Sequence, residues 1–89
     1  MTHVVKRNHR SEPFDEHKLR ASIRAACLSI RTPAGEAEMT AERMYRQILP
    51  WLEGKAEVTS ADIRRKSAEA LLRDNPEAAY VYQIQRIMI

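Results

Sequence analysis

The chain has one cysteine, Cys27, and two glycines, Gly35 and Gly54, in 89 residues. A single thiol excludes an internal disulfide and a thiolate zinc ribbon. At an apolar position of a helical pattern, Cys27 reads as a small core residue. Neither glycine is followed by a Gly-Lys-Ser/Thr signature, so a glycine-rich phosphate loop is absent. No apolar run approaches the roughly 18 residues that a membrane span needs, and the N-terminus has no signal-peptide core. The expected location is the cytoplasm, with no membrane contact. Aromatics make up 6% of the chain, and none lies in the arginine stripe where stacked bases would need them. His3, His9 and His17 lack metal-ligand spacing, and no two carboxylates stand out as an acid–base couple. Ser60, His17 and Asp15 can be drawn as a nucleophilic set, but nothing orients them. Neither a metal site nor a catalytic residue is expected, and the chain is not read as an enzyme.

What is present is ordinary in bulk and informative in detail. Apolar residues make up 44% and charged residues 30%, as in soluble globular proteins. The length fits one domain, residues 1–89, burying roughly 60–65% of its unfolded surface. A net charge of +3 and a pI near 9.4 favour anionic partners: nucleotide, nucleic acid or an acidic protein face.

Residues 3–7, centred on β-branched Val4 and Val5, read as a strand, with Asn8-His9 as the turn and residues 10–13 returning. Asp15 caps a first helix to about Ile30, with Leu19, Ile23, Ala26/Cys27 and Ile30 inward. A Thr-Pro-Ala-Gly break at residues 32–35 ends it. A second helix is expected from about Glu36 to Leu52, with Ala41, Met44, Ile48 and Trp51/Leu52 inward. Pro50 should kink or end it early. Glu57-Val58 offers a brief third strand. The Thr-Ser-Ala-Asp run at 59–62 opens a third helix to about Arg73, with Ile63, Ser67 and Ala70/Leu71 inward. Asn75 and Pro76 start a fourth, with Tyr80/Val81, Ile84 and Ile87/Met88 inward. The fold class is α+β: a hairpin plus short third strand, forming a three-stranded β cap over a four-helix bundle.

The cations cluster early. Lys6 and Arg7 sit on the hairpin and Lys18 in the first turn of the first helix, with Glu12 among them. Without a glycine-rich loop, an anion must be held by such side chains and by helix N-termini, here near Asp15 and Ser60. Alternation along a regular strand would send Lys6 and Arg7 to opposite faces, and only a twist near the turn would let both reach one ligand. A lysine at position 18 opposes the helix dipole, which suggests a purpose other than helix stability. Arg20, Arg24 and Arg31 follow the helical repeat as an outer basic stripe, read as a solvated face, and Arg64-Arg65-Lys66 adds further charge.

The ordered set Val4-Val5-Lys6-Arg7, Glu12-Pro13-Phe14-Asp15, Lys18-Leu19, Ser22-Ile23, Val58-Thr59-Ser60-Ala61-Asp62-Ile63 and Ala79-Tyr80-Val81-Tyr82 resembles the ATP-cone, the nucleotide-sensing domain at the front of ribonucleotide reductases and in their repressor. The resemblance covers almost the whole chain. It implies that ATP or dATP, with Mg²⁺, binds between cap and helices as an effector and is not hydrolysed. It further implies a change in oligomerisation or in docking to a regulated protein, in a reductase-like or repressor context. Carried over by position, Val4, Lys6 and Arg7 frame base and phosphates. Glu12 approaches base or sugar, Asp15 stands at the opening of the first helix, Lys18 binds phosphate, and Ser60 and Arg64 approach from the third helix. His9 stands where the family commonly carries glycine, and Pro50 interrupts the second helix. No catalytic domain follows and no zinc ribbon precedes. The apolar end Ile87-Met88-Ile89 suggests an excised domain or a helix end that docks on a partner or a second copy. The alternatives are a degenerate cone acting as an interaction scaffold and a basic nucleic-acid-binding module, with nucleic acid the less favoured partner.

Overall fold

Val4 and Val5 sit at the centre of a hairpin whose strands are short because the turn takes up five residues. In the computed structural model, which describes residues 1–85, β1 (His3–Val5) pairs antiparallel with β2 (Ser11–Pro13). The Lys6 N–H donates to the Arg10 carbonyl at 2.8 Å and the His9 N–H to the Lys6 carbonyl at 2.9 Å. His9 takes the left-handed conformation, φ 66°, which closes a three-residue loop of the turn-plus-bulge type. Asn8 Oδ1 accepts from the Arg10 N–H at 3.0 Å and holds the loop from inside.

The third strand, β3 (Glu57–Thr59), lies parallel to β1, so the sheet order is β2-β1-β3. A parallel neighbour requires a long crossover, and α1 (Glu16–Ser29) and α2 (Ala34–Leu52) supply it. Then α3 (Ser60–Asp74) and α4 (Pro76–Ile84) complete the bundle. The helices pack as a ring, α1 against α2 and α4, α3 against α2 and α4. Val4 and Val58 lie side by side on the inner face of the sheet and enter the same core as Leu19, Ile23, Met44, Ile63 and Leu71. That is the α+β cap-over-bundle architecture the sequence pattern implies.

Each helix end has a local cause. Asp15 caps α1 by accepting from the N–H groups of His17 at 2.9 Å and Lys18 at 3.3 Å. Its C-terminus closes by two reversed bonds, Arg31 N–H to the Leu28 carbonyl at 3.0 Å and Thr32 N–H to the Cys27 carbonyl at 3.1 Å. The left-handed residue this closure demands is Arg31, φ 66°, not a glycine. Thr59 caps α3, accepting from the Asp62 N–H at 3.0 Å. Hydrogen bonds from Thr59, and then from Arg65, hold the Asp62 carboxyl below its ordinary range. Asn75 caps α4, with Pro76 at its first position.

Two helices depart from expectation. α2 begins at Ala34 rather than Glu36, because Pro33 is already set for entry and its carbonyl accepts from Ala37 N–H at 2.9 Å. It also runs two residues past Pro50, to Leu52. Only one backbone donor is lost there, in the final turn, and buried Leu52 anchors the end. α4 turns a different face inward. Ala78, Ala79 and Tyr82 are buried and Val81 half-buried, whereas Tyr80 and Ile84 are 66% and 60% exposed. Two alanines let α4 approach closely, and the Tyr82 hydroxyl meets the Ser22 hydroxyl at 3.2 Å inside the bundle. The inward positions expected at Ile87/Met88, like the apolar end, lie outside the described residues.

Candidate functional site

The inner face of the sheet carries the row Glu12–Val4–Val58 across its three strands, so the row ends in a carboxylate at the β2 edge. Lys6, two residues beyond Val4, leaves on that same inner side. Its side chain is only 9% exposed, and its Nζ lies 3.5 Å from Glu12 Oε2, itself 42% exposed. Strand pairing ends at Val5 with Thr59, so Lys6 and Ser60 follow one step beyond the last parallel pair. This places the start of α3 beside Lys6. Arg7 lies exposed in the hairpin turn rather than on the far face of a continuing strand.

Beneath the β2 edge is a groove of about 510 Å³ lined by residues 12–18, within the roughly 300–1,000 Å³ of small-molecule sites. It unites Glu12, Asp15 and Lys18 of the expected set. The Asp15 carboxylate is engaged by the helix cap, while the Lys18 side chain stands exposed in the first turn. Four further lining residues, Pro13, Phe14, Glu16 and His17, were not assigned to the nucleotide site from the sequence. The signals for them were their contiguity with Glu12 and Lys18 and, for Pro13 and Phe14, the motif they share with Glu12 and Asp15. Phe14 stacks on Tyr45, rings 6.5 Å apart and 6° from parallel, and the Arg20 guanidinium lies 4.9 Å from the Tyr45 centroid. One wall is therefore a rigid aromatic stack tied to α2.

Val4, Lys6 and Glu12 thus share the inner side of the sheet, and Glu12, Asp15 and Lys18 share the groove. Ser60, half-buried, adjoins Lys6 by register. Arg64, one turn further along α3, donates to the Gln85 carbonyl at the end of α4 at 2.7 Å, so in this structure it engages α4.

Two of the three arginines of the stripe are paired with carboxylates, while Arg31 stays exposed. Arg20 pairs with Glu16 at 3.0 Å and Glu42 at 2.9 Å, and Arg24 Nη1 donates to Glu38 Oε1 at 2.6 Å. Carboxylates from α2 thus neutralise α1, because α2 places Glu38 and Glu42 on consecutive turns facing it. The run at 64–66 also divides: Arg64 reaches α4, Arg65 pairs with Asp62 and Glu69, and Lys66 lies over Trp51. A continuous track for a phosphodiester backbone does not form there.

Among the described residues, no group of three or more His, Cys, Asp or Glu is placed to hold a metal ion. No helix among them is long and apolar enough to cross a membrane. A search of curated proteins returns no match. Comparison with protein families matches residues 2–86 to the ATP cone domain, nearly the full chain and every element described above, so the chain belongs to the ATP cone domain family.

Proposed function

We propose that this domain binds ATP or dATP, carrying Mg²⁺, between the β2 edge and the start of α1, and relays its occupancy to a second copy or a regulated protein. A cone domain is a nucleotide-sensing regulatory unit rather than a catalytic one, and that much follows from family membership. The site itself is our reading. The base and sugar would enter the groove of residues 12–18, with Glu12 accepting from a ring amine or hydroxyl and Asp15 at the opening of α1. Val4 would form the floor. Lys6, Arg7 and Lys18 would hold the phosphates, with Ser60 and Arg64 approaching from α3.

One observation carries the proposal. The Lys6 side chain is only 9% exposed, and its ammonium lies 3.5 Å from the Glu12 carboxylate on the rim of the groove. A lysine held this close against the sheet presents its charge at the groove, and a triphosphate would engage it more fully than one half-exposed carboxylate does. The nucleotide would act as a retained effector. The regulated protein would be a reductase-like enzyme or a transcriptional repressor, in the cytoplasm.

The test is calorimetric titration with ATP and with dATP in Mg²⁺, with sedimentation on the same samples. Saturable binding with a change of mass is expected, and Lys6→Ala with Lys18→Ala should weaken affinity at least tenfold. Absence of heat and of thermal stabilisation by either nucleotide refutes the effector reading. Unchanged affinity in the double variant refutes the site. Binding without a change of mass assigns the output to a partner rather than to self-assembly.

A further inference from the structure

Two aromatic rings in this fold carry cations, and they differ in how those cations are balanced. Arg20 over Tyr45 is neutralised by Glu16 and Glu42. Trp51, in the last turn of α2, carries two: the Lys55 and Lys66 ammoniums each lie 5.6 Å from the ring centroid. Among the described residues, neither lysine has a carboxylate partner. Glu53 and Glu57 flank Lys55 in sequence, yet neither pairs with it. The two lysines come from separate elements, the loop before β3 and the second turn of α3, and β3 running straight into α3 brings them to one indole.

We propose that the Trp51, Lys55 and Lys66 face docks an acidic segment of a partner protein. Each cation–π contact supplies only about 0.5–1 kcal/mol and leaves the charge uncompensated. Two like charges converging on one ring are therefore relieved by an incoming carboxylate. An acidic peptide fits better than single-stranded nucleic acid. Trp51 packs against the core and both lysines lie over it, so the surface presents ammonium rather than the bare ring that a base would stack on. The face adjoins the β3 edge of the sheet, whereas the groove of residues 12–18 opens at the β2 edge.

Trp51 is the only tryptophan, so its fluorescence reports on this face directly. The intact chain is titrated with a short Glu/Asp-rich peptide, its Gln/Asn counterpart and an oligothymidylate, at low and physiological salt. A saturable change with the acidic peptide alone is expected, weaker at higher salt. In Lys55→Gln with Lys66→Gln, its affinity should fall about fivefold or more, the loss expected for two charge contacts, with a single cooperative thermal transition retained. No response to the acidic peptide overturns the proposal. So does an equal response to the neutral one, equal affinity in the double variant, or tighter binding of the oligothymidylate.

Discussion

Lys6 and Glu12 are an unequal pair, and the inequality can be used to separate stability from ligand binding. Removing the carboxylate by Glu12→Gln leaves the ammonium of a side chain only 9% exposed without its counter-charge. That should cost about 1–3 kcal/mol, the range for a near-buried charged group that loses its partner. Removing the ammonium by Lys6→Met keeps most of the apolar stem and leaves a carboxylate that is 42% exposed and can be hydrated. The stability change there should stay within about 1 kcal/mol of zero, in either direction. In a domain of this size each kcal/mol moves the melting temperature by roughly 4–8 °C, so thermal scans with urea titrations resolve the two variants. Affinity should show the opposite ranking. Lys6→Met removes a charge-assisted phosphate contact of about 1.5–3 kcal/mol, a loss of roughly tenfold to a hundredfold. The reasoning is refuted if Lys6→Met destabilises more than Glu12→Gln, because the ammonium would then be a structural element. Parent-like ATP affinity in Lys6→Met would equally remove Lys6 from the phosphates.

Arg31→Gly should stabilise the domain by about 0.5–1 kcal/mol. It relieves a left-handed side chain at the end of α1 and offsets part of the gain with added freedom in the unfolded chain; a lower melting temperature would contradict the assigned closure. Tyr82→Phe should cost about 1 kcal/mol in urea unfolding, since the tyrosine hydroxyl meets Ser22 inside the bundle. Burial raises the Tyr82 hydroxyl above its ordinary pKa of 10.0, against the opposing influence of the neighbouring Ser22 and Ser67 hydroxyls. Its contribution is then present below about pH 10 and is lost as pH rises through the higher folded value. The phenylalanine variant should show a shallower alkaline loss, leaving the part due to the buried Cys27 thiol, which burial also raises. An unchanged slope would mean that Tyr82 ionises as freely folded as unfolded.

What was legible in this sequence was whatever a short-range rule decides. Asp15, Thr59 and Asn75 announce helix starts because a cap needs one side-chain oxygen and two or three following N–H groups, all local. The stripes on α1 and α3 follow from a fixed helical period, and so does their burial. The misread face of α4 has the opposite character. Ala78 and Ala79 look unremarkable beside Tyr80 and Ile84, and burying the smaller pair is favourable only because a neighbouring helix approaches closely. The neutralisation of Arg20 and Arg24 was hidden for the same reason: Glu38 and Glu42 lie on another helix, out of reach of any local pattern. For the site, the charged residues could be named by type and order, but the side on which Lys6 emerges depends on where strand pairing stops. A turn stabilised by Asn8 and closed by a left-handed His9 ends it at Val5. A histidine accepting the conformation usually given to glycine keeps the loop tight, and the tight loop returns Glu12 to the strand position opposite Val4, within reach of Lys6. The histidine standing where the family commonly carries glycine is therefore compatible with the geometry on which the nucleotide reading depends.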